Sequence, residues 1–176
     1  MLQPNKILVI RFSSLGDLIL TSPIFRELRR IFPGANLNLL TSVGFGDVLD
    51  NNPHLDRIIK HPRKENFEQL NQLIEELQAE EFDLIYDAHR SMRSLWIVSR
   101  LTAFGMKRQP AVWKIDKRTL NRKLLIHLGW NRLQQGLSQR EQWLLPLKQH
   151  APHGLDASTE LFLSLIHISE PTRRSM

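Results

Sequence analysis

Lys6-Ile7-Leu8-Val9-Ile10-Arg11-Phe12 is followed at once by Ser13-Ser14-Leu15-Gly16-Asp17 and then by Leu18-Ile19-Leu20-Thr21-Ser22-Pro23. The first stretch is apolar almost throughout rather than alternating, which predicts a strand buried on both faces, as in a parallel sheet. The second is a small polar turn. Beyond it, Leu18, Ile24, Phe25, Leu28, Ile31 and Phe32 recur at helical spacing. Pro23 either kinks one helix from Leu18 to Phe32 or stands at the first position of a second helix capped by Ser22. Pro33-Gly34 ends the element.

The same alternation continues downstream. Leu37 to Thr41 reads as a second strand, with a Gly-containing loop and short helix around Gly44 to Leu49. Asp56 to Lys60 reads as a third strand. Phe67, Leu70, Leu73, Ile74 and Leu77 mark an amphipathic helix from about Asn66 to Ala79. Phe82 to Asp87 is a fourth strand, His89 to Phe104 a helix, Ala111 to Trp113 a fifth strand and Lys117 to Leu128 a basic helix. Past Leu137 the pattern weakens, and Gln142 to Leu147 fits either helix or strand. Strands alternating with helices predict a Rossmann-like, doubly wound α/β domain with a mostly parallel sheet.

The length of 176 residues suits one such domain, here residues 1–162, and the absence of cysteine removes any thiolate nucleophile or disulfide. No apolar run reaches the roughly 20 residues of a membrane span, and the N-terminus lacks a signal-peptide pattern, so a soluble cytoplasmic domain is the starting expectation. Leu163 to Arg173 resembles a translated transposase adapter from sequencing-library preparation, which would mean a reading frame interrupted near Phe162. Residues 163–176, including His167 and Glu170, are therefore set aside as a non-native tail.

The net charge of +6 conceals a split: residues 1–87 carry nine Lys/Arg against thirteen Asp/Glu, whereas residues 88–150 carry thirteen against two. A segment that basic suits an anionic partner, be it nucleic acid, a phosphorylated substrate or an acidic membrane surface. A solubilising surface is the plainer alternative.

In an open α/β sheet, ligands gather at the carboxyl ends of the strands. The turn after the first strand offers Ser13 and Ser14 hydroxyls, close backbone approach at Gly16 and a helix N-terminus that favours negative charge. It is neither a Walker loop nor Gly-x-Gly-x-x-Gly, so no triphosphate or dinucleotide follows. Asp17 either caps its helix or points into the cleft as a general base. The helix dipole would stabilise its ionised form, so it could assist only a hydroxyl that turns acidic in the transition state.

A second cluster follows the fourth strand: Asp87-Ala88-His89-Arg90-Ser91-Met92-Arg93. Arg90 and Arg93, one turn apart at a helix start, are placed to grip a phosphate, and His89 is either a proton carrier or a hydrogen-bonded spacer. The third cluster is basic, with Lys107, Arg108, Lys114, Lys117, Arg118, Arg122 and Lys123. It lacks interleaved Phe or Tyr, which argues against a single-stranded nucleic-acid surface even though Trp113 and Trp130 offer two stacking platforms. His54, His61 and His127 show no metal-ligand spacing, and no Gly-x-Ser-x-Gly nucleophile is present.

Taken together, Ile7 to Pro23, Phe32-Pro33-Gly34-Ala35, Asn51-Asn52-Pro53-His54-Leu55-Asp56, Phe82 to Asp87 and Arg93-Ser94 resemble glycosyltransferase family 9, the ADP-heptose:lipopolysaccharide heptosyltransferases. The resemblance covers about residues 4–130. It implies the N-terminal domain of a GT-B fold, the half that holds a phosphorylated Kdo–lipid A acceptor, with the ADP-heptose donor domain absent from this sequence. It also implies inverting transfer without a bound metal or other cofactor. The family's proposed catalytic base falls on Asp17, and Ser13 and Ser14 fall beside substrate. Arg90, Arg93 and Lys117, Arg118 and Arg122 would bind acceptor phosphates or the anionic leaflet at the cytoplasmic face of the inner membrane. This half alone is expected to be inactive. The alternative is a non-catalytic Rossmann-like module that binds a nucleotide or nucleic acid.

Overall fold

The computed structural model describes residues 3–64, 66–103, 109–115 and 137–162. Five strands, β1 (Lys6–Ile10), β2 (Asn36–Ser42), β3 (Arg57–His61), β4 (Leu84–Asp87) and β5 (Ala111–Lys114), form one sheet in the order β3-β2-β1-β4-β5. Every pairing is parallel, so the mostly parallel sheet expected from the sequence is parallel throughout the described strands. Val9 of β1 lies opposite Leu39 of β2 on one side and Tyr86 of β4 on the other.

The continuous apolarity of β1 has the predicted consequence. Ile7 and Val9 join Leu37, Leu39, Leu84 and Tyr86 in one core layer, while Leu8 and Ile10 join Leu40 and Ile85 in the other. Successive residues of a strand point to opposite faces, so both faces must be covered. Helix α2 (Ser22–Ile31) covers the first with Ile24, Phe25 and Leu28, assisted by α5 (Gln139–Leu144) through Trp143 and Leu144. Helices α3 (Phe67–Ala79) and α4 (Met92–Leu101) cover the second with Leu73, Ile74, Leu77, Ile97, Val98 and Leu101.

Helix ends follow side-chain chemistry. Asn66 caps α3 in a reciprocal pair with Gln69, Ser91 pairs with Ser94 at α4, and Ser138 with Glu141 at α5. The apolar run from Leu18 to Phe32 is two helices, α1 (Leu15–Ile19) and α2, with Pro23 in the first turn of α2. The cap position of α2 is Thr21 rather than Ser22. The Thr21 hydroxyl donates back to the Asp17 carbonyl at 2.6 Å, and the Ser22 hydroxyl accepts from the Glu160 N–H at 2.9 Å. The ambiguous stretch from Gln142 is helical: α5 runs into a 3-10 turn over Leu145–His150 that tolerates Pro146 in its first turn. The predicted helix from Lys117 to Leu128 lies outside the described residues.

Charged groups at the amino ends of the strands are spent on structure. Asp83 accepts from the N–H groups of Asn5 and Lys6, and Asp56 accepts from the Leu37 N–H and from Arg29. Glu80, just past α3, bridges Lys6 of β1 at 2.6 Å and Arg57 of β3 at 2.7 Å.

The Lys6 ammonium first, then the Arg57 guanidinium, holds the Glu80 carboxyl below its ordinary value of 4.5. A depressed carboxylate stabilises the fold above the ordinary value and ceases to do so as pH falls through the folded one. Glu80→Gln is therefore expected to lower stability at pH 7 by up to about 1 kcal/mol, the scale of an exposed ion pair. The difference from the parent should close as the pH drops to roughly 3, read from urea unfolding midpoints at the two pH values.

Candidate active site

In the strand order β3-β2-β1-β4-β5, the chain leaves β1 toward one edge and returns from β3 to β4 on the other side. The crevice of such a sheet opens where these directions diverge, between the carboxyl ends of β1 and β4. Arg11 to Asp17 occupy one side of that point and Asp87 to Arg93 the other.

Ser14 stands at the cap of α1 and Asp17 at its third residue. The Asp17 Oδ2 atom takes only long contacts from the Ser14 N–H, 3.4 Å, and the Ser14 hydroxyl, 3.3 Å. The guanidinium of Arg11 approaches the same oxygen to 2.7 Å. A charge-assisted bond of that length outweighs two neutral contacts beyond 3.2 Å, so the ion pair rather than the cap sets the carboxylate's position. Asp17 keeps 34% of its side chain exposed, and among the described residues no hydrogen bond falls on Oδ1. One oxygen is anchored by Arg11, and the side chain stays partly exposed beside the carboxyl end of β1.

Arg11 is the residue that sequence reasoning passed over as the end of a strand. Its side chain is only 5% exposed. One guanidinium nitrogen donates to the Ala88 carbonyl just beyond β4, and the group lies 4.7 Å from the Trp143 ring centroid. Burial pulls its pKa below the ordinary arginine value against the carboxylates of Asp17 and Asp87. The Trp143 carbonyl accepts the hydroxyl of buried Tyr86, whose ionisation burial pushes upward, well away from neutral pH. The available signal was an arginine inside a buried apolar run, since a charge there must be paired.

Asp87 organises the opposite wall. Fully buried, it accepts from the N–H groups of His89 at 3.0 Å and Arg90 at 2.8 Å, and from the Ser94 hydroxyl at 3.2 Å. This turn holds Arg90 at φ +48° and delays the helix until Met92, correcting the expected start at His89. Arg90 thus precedes α4 instead of lying one helical turn from Arg93. Its guanidinium donates to the Ile115 carbonyl after β5 at 3.0 Å. Arg93 donates to the Pro62 carbonyl after β3 at 2.9 Å and stacks 4.0 Å over Phe12. The two arginines bond main chain at opposite edges of the sheet and do not form one clamp. His89 packs edge-on against Phe12.

Ser13 is half-buried, whereas Ser14 and Gly16 are exposed on the mouth. A Cβ at Gly16 would meet no atom within 4 Å. Helix α1 has only five residues, too short for the dipole contribution expected of the turn. Lys117, Arg118 and Arg122, with Lys107, Arg108 and Lys123, lie outside the described residues, and Lys114 is exposed at the end of β5. Among the described residues no three His, Cys, Asp or Glu side chains gather as a metal site.

No family model matches the chain. It is 26% identical over 175 residues to lipopolysaccharide heptosyltransferase 1 of Escherichia coli K12, covering 94% of this chain and 49% of that protein. Its fold superposes on a glycosyl transferase family 9 protein from Veillonella parvula with a TM-score of 0.64 at 20% identity, covering 88% of this chain and 43% of the other. It superposes on E. coli heptosyltransferase WaaC with ADP-2-deoxy-2-fluoro heptose with a TM-score of 0.57 at 23% identity, covering 83% and 47%. The resemblance carried by the Ser-Ser-Leu-Gly-Asp turn is thus borne out along most of the chain, which is similar to the family 9 heptosyltransferases. The chain spans about half the length of the curated relatives it matches.

Removing Asp17 leaves the buried Arg11 with one carboxylate fewer. Asp17→Ala is expected to cost about 1–2 kcal/mol, below the roughly 3–5 of a fully buried pair because Asp17 is partly solvated. In a double-mutant cycle with Arg11→Met, read by urea unfolding, the two losses should be strongly non-additive. Additive losses would show that the pair does not hold in solution.

Proposed function

We propose that this chain is the acceptor-binding half of an inverting glycosyltransferase. The reaction is transfer of heptose from ADP-heptose to the phosphorylated Kdo–lipid A inner core of lipopolysaccharide. Two things support the sugar and the donor: the similarity to lipopolysaccharide heptosyltransferase 1, and a structural neighbour holding a fluorinated ADP-heptose. The observation that carries the mechanism is Asp17, one oxygen paired to Arg11 and its side chain partly exposed beside the carboxyl end of β1.

In this reading the acceptor sugar lies over Ser13, Ser14 and Gly16, with the reacting hydroxyl against Asp17 Oδ1. The hydroxyl oxygen attacks the anomeric carbon of the donor from the face opposite the diphosphate. The bond to the diphosphate breaks with its electron pair, and ADP departs. The hydroxyl proton passes to Asp17 as the new C–O bond forms, when that proton is most acidic. Arg11 holds the carboxylate in reach and in one orientation, which lowers the entropic cost of meeting the hydroxyl. Arg90 and Arg93, each with a main-chain anchor, flank the crevice as separate cationic points for acceptor phosphates. We assign no metal to the step.

Gly16→Ala separates substrate contact from stability. The added methyl meets nothing in the free protein and sits in a helix, so stability should hold or rise by up to about 1 kcal/mol. Binding of Kdo–lipid A in detergent micelles should weaken about tenfold, because the acceptor needs that space. The chain should prefer phosphorylated over dephosphorylated acceptor, and alone it should transfer no heptose from ADP-heptose. Turnover by the 176-residue chain would overturn the half-site reading. Salt-sensitive affinity for duplex or single-stranded nucleic acid without glycolipid binding would favour the nucleic-acid module instead.

A further inference from the structure

Hydrogen bonds do not fully satisfy the buried guanidinium of Arg11. One terminal nitrogen donates to the Ala88 carbonyl and the other meets Asp17 Oδ2, but Nε is buried with no hydrogen-bond partner. At 5% exposure the group is largely out of water, where an uncompensated charge is costly. What lies against it is the indole of Trp143, with the ring centroid 4.7 Å from the guanidinium carbon. An aromatic face at that range attracts a cation, and more strongly where water is excluded. Trp143 is itself only 4% exposed.

The indole is fixed from two directions. Its helix, α5, is capped by the reciprocal Ser138–Glu141 pair, and the Tyr86 hydroxyl donates to the Trp143 carbonyl from β4. Tyr86 is fully buried and meets Trp113 edge-on at 6.3 Å. Asp17, for its part, has a second partner within reach. Its contacts of 3.4 Å with the Ser14 N–H and 3.3 Å with the Ser14 hydroxyl are a helix cap in loosened form. Arg11 draws the same oxygen to 2.7 Å. The carboxylate is thus shared between capping α1 and pairing with Arg11, and the balance turns on where the guanidinium lies.

We infer that Trp143 is a positioning residue for Asp17: its ring backs the Arg11 guanidinium, which in turn draws the Asp17 carboxylate off the α1 cap. Without that face the cation loses its compensation on one side and is free to leave its place. The carboxylate then closes on the Ser14 N–H, the partner that remains. Trp143 is buried behind Arg11 and acts only through it. A carboxylate held in one orientation meets a ligand hydroxyl at lower entropic cost, so the consequence for binding comes from geometry and not from contact. That consequence rests on the acceptor-binding reading of the site, whereas the positioning itself is a property of the free chain.

The Ser14 amide of the 176-residue chain reports the balance, because a closer carboxylate moves its proton resonance downfield and slows its hydrogen exchange. Trp143→Leu removes the aromatic face and Trp143→Phe keeps one. In Trp143→Leu the Ser14 amide is expected to shift downfield and exchange about fivefold more slowly, and in Trp143→Phe to stay near the parent. Arg11→Met alone should give the largest shift, and adding either Trp143 change to it should move Ser14 no further. Affinity for a soluble phosphorylated Kdo–glucosamine disaccharide should fall about tenfold in Trp143→Leu and less than about twofold in Trp143→Phe. If Trp143→Leu does not fold, Tyr86→Phe carries the test: it frees the Trp143 carbonyl but keeps the ring, and Ser14 should shift the same way by less. A Ser14 amide that stays put in folded Trp143→Leu, or in Tyr86→Phe, would overturn the inference. So would equal shifts in Trp143→Leu and Trp143→Phe, or shifts that persist without Arg11, since either would leave Trp143 as core filling. A chain that shows the Ser14 response but binds no disaccharide would reject the acceptor reading and keep the positioning. Disaccharide binding with an unresponsive Ser14 would do the opposite.

Discussion

The ion pair between Arg11 and Asp17 is the constraint on which the site depends. It joins the end of β1 to the start of α1, and the same guanidinium reaches across to the Ala88 carbonyl beyond β4. A cation this deeply buried is costly unless it is compensated, and here the compensation comes from both walls of the crevice at once. Trp143 of α5 lies against it, its carbonyl held in turn by the Tyr86 hydroxyl. The carboxylate of Asp17 is thereby fixed from the protein side while its side chain stays partly exposed. That arrangement suits a group that must be presented to a ligand rather than used up in capping.

The two ends of the sheet divide the work. At the amino ends, Asp56, Glu80 and Asp83 are engaged by backbone amides or by cations from neighbouring strands, and they hold register. At the carboxyl ends, Asp17, Ser14 and Gly16 are reachable, Arg90 bonds the Ile115 carbonyl and Arg93 the Pro62 carbonyl. Parallel sheets place all strand exits on one edge, which brings the loops after β1 and β4 side by side. The two walls of the crevice therefore share an edge for a topological reason.

Much of this was legible in the sequence, and the failures have physical causes. The unbroken apolarity of Ile7 to Ile10 announced a strand covered on both faces, and the spacing of Phe67 to Leu77 announced α3. The polar turn with Asp17 was recognisable because strand ends carry function. Three features were hidden. The delayed start of α4 depends on the Asp87 carboxylate collecting two backbone N–H groups, a tertiary choice that helical periodicity does not report. The separation of Arg90 from Arg93 follows from that same turn. Arg11 read as an ordinary strand end because its burial depends on Ala88 and Trp143, which are far away in the chain, as well as on nearby Asp17.

The claim that Asp17 faces an acceptor sugar is tested most directly by following the backbone amide resonances of the chain during titration with a soluble phosphorylated Kdo–glucosamine disaccharide. The account predicts saturable shifts concentrated at Ser13, Ser14, Gly16 and Asp17 and at His89 to Arg93, with the amino-end residues Lys6, Arg57 and Glu80 unmoved. Shifts confined to the amino ends of the strands, or none at saturating sugar, would contradict it.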